Sequence, residues 1–157
     1  MDNRQTESID KEIDEIKEIL NLGCVLCKQE EDFFKFLVTL NSTMLLILIA
    51  FSEKIIRIPF HTIWTIIPFI FFSLSLLSSI YTIRILGDFS GSIILFHMAL
   101  SSMLIRKEYD SKTIESHSKK ISKIATKANK SQVPALWLYF LGIGSLIIFA
   151  MIKLINK

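Results

Sequence analysis

The chain has 157 residues and a formal net charge of +3, and 51% of its residues are hydrophobic while only 21% are charged. The apolar residues form long blocks instead of spreading over amphipathic faces, and the mean hydropathy is +0.48. This composition argues against a water-soluble globular domain and predicts membrane-spanning helices.

The chain begins with an acidic segment, residues 1–32. Its isoleucines and leucines recur at helical spacing, as at Ile9, Ile13, Ile16 and Leu20, while acidic side chains occupy the other faces. Residues 1–35 hold ten acidic and five basic side chains. The pattern predicts an acidic amphipathic helix that leads towards the first apolar block.

Two cysteines, Cys24 and Cys27 in the sequence GCVLCK, have a spacing typical of metal or redox sites. A zinc site needs four ligands, the chain has no other cysteine, and a thioredoxin-like motif follows a β-strand that the pattern does not indicate. We therefore predict no catalytic residue, no metal and no cofactor. We expect both cysteines to continue the buried face of a long helix, with palmitoylation or an intersubunit disulfide as alternatives.

Three apolar blocks are long enough to cross the hydrocarbon core of a bilayer, which takes about 20 helical residues. They are residues 33–51, 62–83 and 135–152. Pro134 precedes the third block and is predicted in its first helical turn, where a missing N–H costs little. The predicted fold is an all-α membrane protein with three transmembrane helices, an N-terminal amphipathic helix and a helical cytoplasmic connection.

A shorter apolar block, residues 92–105, lies within the 84–134 connection between the second and third spans. Its fourteen residues would reach only about 21 Å as a helix, which is less than the thickness of the hydrocarbon core. The preceding sequence GDFSGS is rich in turn-forming residues. We therefore predict that residues 92–105 form a separate interfacial or re-entrant helix and not a fourth span.

Basic residues predict the orientation. With three spans, residues 1–32 and the 84–134 connection share one side of the membrane, and the loop 52–61 and the tail 153–157 share the other. Fourteen Lys and Arg residues, including Lys35 at the start of the first span, fall on the first side and four on the second. Because basic segments stay in the cytoplasm, we expect a cytoplasmic N-terminus and a periplasmic C-terminus.

The connection contains a second amphipathic pattern, TIESHSKKISKIATKANK, which predicts a basic helix. Its charge is opposite to that of residues 1–32, so we expect these segments to pack together or to pair between subunits. The basic face is also suited to lipid. No nucleic acid is expected, since no interleaved aromatic residues accompany the lysines, although a nucleotide phosphate remains an alternative. The candidate contact residues are Lys119, Lys120, Lys123, Lys127 and Lys130.

Small and polar residues lie within all three spans. Polar groups in hydrocarbon seek partners on neighbouring helices, so we expect these residues to pack helices together, with a pore lining as the alternative. The candidates are Asn41, Ser42 and Thr43 in the first span, Ser75 and Ser79 in the second, and Gly142, Gly144 and Ser145 in the third.

The order of these segments, including FLVTLNSTMLLILIAF and IIPFIFFSLSLLSSIYTIRIL, resembles that of small membrane proteins in bacterial antiphage systems. Two groups are similar in layout: the transmembrane effectors of cyclic-pyrimidine (Pycsar) signalling and the inner-membrane superinfection-exclusion proteins of temperate phages. The resemblance is one of topology along most of the chain. It implies a bacterial inner-membrane protein that protects against phage by blocking genome entry or by perturbing the membrane.

Two other functions fit the same layout. One is a structural or regulatory membrane subunit that docks a partner protein, and the other is a holin-like or immunity protein. In each case we expect a protein that is not an enzyme. Its partners would be the lipid bilayer and either further copies of the chain or another membrane protein.

Overall fold

The structure, a computed structural model, describes residues 3–55, 59–106 and 110–155, with side chains described for residues 11, 14–50, 66–103, 105–106 and 110–152. Three α-helices account for this part of the chain: α1 (Asn3–Ile55), α2 (Pro59–Arg106) and α3 (Ser111–Ile155). The described residues form no β-strand. The predicted all-α fold is therefore confirmed.

Each helix is long and apolar enough to cross a membrane, and the candidate spans lie within Asp14–Ala50, Ile66–Met103 and Ser111–Ile152. The protein is therefore a multi-pass membrane protein, as the sequence predicted. The helices contain 53, 48 and 45 residues. At about 1.5 Å per residue each is roughly 70–80 Å long, more than twice the thickness of the ~30 Å hydrocarbon core.

The predicted separation of residues 92–105 from the second span is wrong. Helix α2 runs without interruption through GDFSGS, so residues 92–105 are its second half and not a separate interfacial or re-entrant helix. Leu86 and Ile93, on either side of the glycines, are both buried on one face of the helix. Each helical glycine costs about 1 kcal/mol relative to alanine, and burial of the flanking side chains outweighs that cost.

The other two helices are also continuous across predicted boundaries. Helix α1 joins the acidic segment to the first apolar block and contains Cys24 and Cys27, as expected for a long helix. Helix α3 joins the basic segment to the third apolar block, so Pro134 lies inside a helix and not in a first turn, contrary to the prediction. Pro68 likewise lies inside α2.

The predicted loop and tail are mostly helical where the structure describes them. Residues 52–55 end α1 and residues 59–61 begin α2, whereas 56–58 lie outside the described residues. Residues 153–155 end α3, and 156–157 lie outside the described residues. The predicted loop at 52–61 is therefore too long.

Buried residues recur every seven positions along each helix, the spacing of coiled-coil packing. In α1 the repeat is Cys27, Phe34, Asn41 and Leu48. In α2 it includes Phe72, Ser75, Ser79, Thr82, Leu86, Ile93, Phe96 and Leu100. In α3 it is Ala128, Ala135 and Gly142. Each helix thus presents one narrow face to its neighbours.

The chain divides into two compact units. The first, the charged unit, consists of Met1–Glu31 and Arg84–Ala128. Its core is apolar and includes Leu86, Ile93 and Leu100. The acidic segment of α1 and most of the basic connection belong to this unit, and their mutual packing stays a prediction.

The second unit, the apolar unit, consists of Asp32–Ile83 and Asn129–Lys157. Much of its core is polar or small, because Asn41, Ser75 and Thr82 are fully buried there. Large apolar side chains such as Phe36 and Leu77 are exposed on its surface. This distribution is that of helices packed within lipid, where small and polar residues mediate helix contacts.

Candidate functional site

A hydrogen-bonded polar cluster joins all three helices in the apolar unit. Asn41 Nδ2 on α1 donates to Ser75 Oγ on α2 at 3.1 Å, and Ser75 Oγ donates to the carbonyl oxygen of Ala135 on α3 at 2.9 Å. Asn41 Nδ2 also donates to the Leu37 carbonyl oxygen at 2.9 Å. Asn41 and Ser75 are each 0% exposed. We call Asn41, Ser75 and the Ala135 carbonyl the polar cluster.

One atom of the polar cluster lacks a partner. Asn41 Oδ1 is buried and accepts no hydrogen bond within the part of the chain that the structure describes. A buried acceptor without a donor costs about 1–3 kcal/mol. The Asn41 amide therefore joins α1 to α2 at an energetic cost. In coiled coils, a buried asparagine fixes the register of the packed helices at a similar cost in stability.

A second pair of hydrogen bonds repeats this arrangement two helical turns further along α2. Thr82 Oγ1 donates to the carbonyl oxygen of Ser78 at 2.9 Å and lies 3.1 Å from the carbonyl oxygen of Ser131 on α3. Ser79, which is also fully buried, donates to the Ser75 carbonyl at 2.8 Å. Hydroxyl groups of α2 thus bond to backbone carbonyls both within α2 and on α3.

Gly142 allows a close approach between α3 and α2. A Cβ atom at this position would lie 2.9 Å from Cε1 of Phe72, whose fully buried ring also packs edge-on against Tyr139 at a centroid distance of 6.0 Å. At Gly144, by contrast, an added Cβ would have nothing within 4 Å. Only the first of these two glycines makes the close contact that the sequence predicted for both.

The remaining candidates in the spans lie outside the polar cluster. Ser42 Oγ donates to the Val38 carbonyl at 2.8 Å, and Thr43 Oγ1 donates to the Thr39 carbonyl at 2.9 Å. Ser145 Oγ donates to the Gly142 carbonyl at 2.7 Å. Each of these hydroxyls bonds to a carbonyl of its own helix. Of the predicted residues, the structure brings together Asn41, Ser75 and Ser79, whose burial between helices is that of packing residues.

The two cysteines have different surroundings in the charged unit. Cys27 is buried, and its thiol donates to the carbonyl oxygen of Leu86 on α2 at 3.3 Å. Cys24 is half-buried and lines a groove of about 180 Å³ together with His97 and Met98. Both thiols are free. Cys27 thus continues the buried face of α1, as the sequence predicted.

The candidate lysines of α3 are all exposed. Lys119 Nζ forms an ion pair with Glu115 Oε1 at 2.7 Å on the same helix. Lys120 and Lys127 line a groove of about 260 Å³ between α2 and α3, which is also lined by Asp88 and Ser92. We call it the basic groove. Lys123 and Lys130 are not among the residues lining this groove. Of the candidate lysines, Lys120 and Lys127 are therefore the two that share a groove with residues of α2.

The side chains of two histidines, His97 and His117, are described by the structure. The His117 ring stacks on Phe96 at a centroid distance of 5.5 Å, whereas His97 lines the groove beside Cys24. Among the residues that the structure describes, no group of three or more His, Cys, Asp or Glu side chains is placed to hold a metal ion. His61 lies outside the residues whose side chains are described.

No family model matches the chain, and neither a curated protein nor a solved structure is similar to it. The geometry of the two units is therefore the basis for any functional interpretation.

Several residues of these sites were missed from the sequence. Phe72, Thr82 and Ser131 complete the helix contacts of the apolar unit, and Asp88 and Ser92 form one wall of the basic groove. A usable signal was present, because Phe72, Ser75, Ser79 and Thr82 alternate at spacings of three and four along α2. Such spacing marks the packed face of a coiled coil, even where its residues are small and polar.

Proposed function

We propose that the protein is a non-enzymatic protein of the bacterial inner membrane that protects the cell against phage. It would act by superinfection exclusion, in which phage genome entry is blocked at the membrane, or by perturbing the membrane. The apolar unit would be embedded in the bilayer, and the charged unit would lie in the cytoplasm. The observation that carries the proposal is the division of three continuous helices into an uncharged and a charged part.

Membrane insertion is supported by the position of the charges. Residues 36–52, 58–83 and 131–152 contain no Asp, Glu, Lys or Arg, so each helix has an uncharged stretch of the length needed to cross a bilayer. The polar cluster provides interhelical hydrogen bonds, which can hold helices together in lipid, where the hydrophobic effect does not act between them. The antiphage role is supported by the order of segments, which resembles that of small antiphage membrane proteins.

The orientation follows from the positive-inside rule. Basic residues before the first span and between the second and third outnumber those on the other side by fourteen to four. A phosphatase reporter fused after Lys157 should be active, because this enzyme folds in the periplasm, and a fluorescent-protein fusion there should be dark. The reverse result would place the C-terminus in the cytoplasm and contradict the proposed orientation.

The antiphage role is tested by expressing the chain in a susceptible host. Cells should adsorb phage normally but yield fewer plaques, and either phage DNA entry or membrane potential should change after infection. A Ser75→Leu variant should lose protection because it disrupts the polar cluster, whereas Thr43→Ala should retain it. Normal plaque numbers across a panel of unrelated phages, with the protein present in the membrane, would contradict the proposal.

A second candidate function is that of a membrane subunit docking a partner protein. The observation that favours it is an exposed apolar face on α1 in the charged unit. Ile19, Leu22 and Leu26, at spacings of three and four, are 69%, 64% and 54% exposed. Exposed apolar side chains at this spacing suit a partner helix.

Affinity purification in mild detergent tests this alternative. A stoichiometric partner should copurify with the wild-type protein and be lost from a Leu22→Ser/Leu26→Ser variant. The matched control is Leu74→Ser/Leu77→Ser, which changes two exposed leucines of the apolar unit. If wild-type protein carries no partner, or both variants retain it equally, the docking function is contradicted.

A further inference from the structure

The basic groove of the charged unit has walls of different chemistry. On α3, Lys120 and Lys127 are seven residues apart, so both lie on one face of the helix, with Ile124 between them. On α2, Asp88 and Ser92 are four residues apart and face the same space. Two lysines of α3 and an aspartate of α2 therefore line the same groove, together with the apolar Ile85 and Ile124.

The α2 wall has a defined polar geometry. Ser92 is buried, and its Oγ donates to the carbonyl oxygen of Asp88 at 2.8 Å. This bond uses the hydroxyl proton, so the Ser92 oxygen faces a ligand as an acceptor. The Ser92 oxygen and the Asp88 carboxylate are therefore suited to bind a positively charged hydrogen-bond donor, such as an ammonium group. The lysines of α3 are suited to bind a phosphate.

We propose that this groove binds the head group of phosphatidylethanolamine. Lys120 and Lys127 hold the phosphodiester, Asp88 and Ser92 accept hydrogen bonds from the ammonium group, and Ile85 and Ile124 contact the glycerol and the start of the acyl chains. The site assigns a lipid specificity to the charged unit and does not depend on the antiphage role.

Size and position favour a lipid head group over a nucleotide. The groove encloses about 260 Å³, which is below the usual 300–1,000 Å³ of sites for larger ligands. Lys127 precedes the uncharged stretch 131–152 by four residues, or about 6 Å along α3. Asp88 follows the uncharged stretch 59–83 of α2 by five residues, or about 7.5 Å. Both distances place Lys127 and Asp88 at the depth of lipid head groups. Lys120 and Ser92 extend the groove away from the bilayer, by about 10 Å and about 6 Å along their helices.

The test measures retained lipid by native mass spectrometry of protein released from nanodiscs of phosphatidylethanolamine, phosphatidylglycerol or a mixture. Wild-type protein should retain phosphatidylethanolamine in preference to phosphatidylglycerol. The variant Lys120→Gln/Lys127→Gln should bind it at least about tenfold more weakly, since a hydrogen bond to a charged group contributes about 1.5–3 kcal/mol. Asp88→Asn should remove the preference between the two lipids.

The matched control is Lys119→Gln/Lys123→Gln, which removes the same charge from exposed positions of α3 outside the groove. It should retain lipid as the wild type does. Equal retention by the groove variant and the control would overturn the proposal, as would a preference for phosphatidylglycerol. Soluble phosphoethanolamine serves as a further arm, and binding as tight as that of the lipid would assign the groove to a free phosphate ester instead.

Discussion

In the charged unit the buried side chains are mainly apolar, whereas in the apolar unit a large share of them are hydroxyls, an amide or glycine. Leu86, Ile93 and Leu100 lie in the core of the charged unit, and Asn41, Ser75 and Thr82 lie in that of the apolar unit. The same three helices, with the same seven-residue spacing of buried positions, therefore use two different kinds of interior.

The placement proposed above, with the charged unit in water and the apolar unit in lipid, accounts for this difference. In water, burial of apolar area stabilises a helix bundle by about 25 cal/mol per Å². In lipid this driving force is absent between helices, because the acyl chains are as apolar as leucine, and close packing and interhelical hydrogen bonds take its place. The contrast indicates that apolar truncation should damage the charged unit most, and that added bulk or lost hydroxyls should damage the apolar unit.

The largest effect is expected from an apolar truncation in the charged unit. Leu100 is 1% exposed, so Leu100→Ala should lower the free energy of unfolding by about 2–5 kcal/mol through lost burial and the cavity that remains. Thermal unfolding in mild detergent measures the change. Leu95→Ala is the control, because Leu95 is 55% exposed on the same helix. Similar losses from both variants would mean that this unit has no apolar core.

The next largest loss of stability is expected from a larger side chain at a close helix contact in the apolar unit. Gly142→Val should destabilise the unit by about 1–3 kcal/mol, because even its Cβ would lie 2.9 Å from the buried Phe72 ring. Gly144→Val introduces the same residue two positions away, where nothing lies within 4 Å of a Cβ. Protease resistance in detergent separates the two variants. If they are equally stable, α2 and α3 do not approach closely at Gly142.

A smaller loss is expected from removing one hydroxyl. Ser75→Ala deletes the donor to the Ala135 carbonyl and the acceptor for Asn41 Nδ2. Interhelical hydrogen bonds in membranes contribute about 0.6 kcal/mol on average and up to about 1.7, and the loss should lie near that upper figure because two bonds are broken. Thr43→Ala, which affects a bond within α1 only, should change the unfolding midpoint little. A larger loss from Thr43→Ala would contradict the role of the polar cluster.

A stabilising change is expected from replacing a glycine inside α2. Gly87 lies inside α2 with nothing within 4 Å of an added Cβ. Gly87→Ala should therefore stabilise the protein by about 0.5–1 kcal/mol, the usual gain for a helical position. Thermal unfolding measures it. A turn at GDFSGS, as the sequence predicts, would give the opposite sign, so this single variant distinguishes a continuous helix from a broken one.

The sequence predicted the three apolar spans and the opposite charges of the flanking segments, because long uncharged blocks have few structural solutions. It did not predict continuity at Gly87 and Gly91. Local turn preference there amounts to about 1 kcal/mol per residue, and it is outweighed by the burial of Leu86 and Ile93 against other helices. Such long-range contacts have no local signature.

The sequence identified residues of the polar cluster as candidates but did not predict the hydrogen bonds between them. Asn41 and Ser75 could be recognised as candidates for helix contacts, but their pairing depends on the register between α1 and α2, which the sequence does not specify. The same is true of the groove that combines Lys127 with Asp88. Ser42 and Thr43 have the same chemistry as Ser75, yet their positions on α1 direct their hydroxyls to carbonyls of their own helix.

The smallest effect concerns the start of α3, where Asp110 caps the helix. Its carboxylate accepts hydrogen bonds from the Thr113 hydroxyl at 2.5 Å and the Lys112 amide at 3.0 Å. The Thr113 bond, followed by the amide bonds, lowers the pKa of Asp110 below the ordinary aspartate value of about 3.9. The cap therefore contributes its full stability above about pH 4, and this contribution is lost as the pH falls through the lowered pKa.

Asp110→Asn keeps an acceptor for the amide but cannot titrate, so it should leave most of the cap in place and remove this pH dependence. The difference in melting temperature between wild type and Asp110→Asn should be small at pH 7 and should shrink or reverse towards pH 3. Because Asp110 is exposed to solvent, the change should be the smallest of the five. A difference that stays constant between pH 7 and pH 3 would show that the carboxylate charge does not stabilise α3.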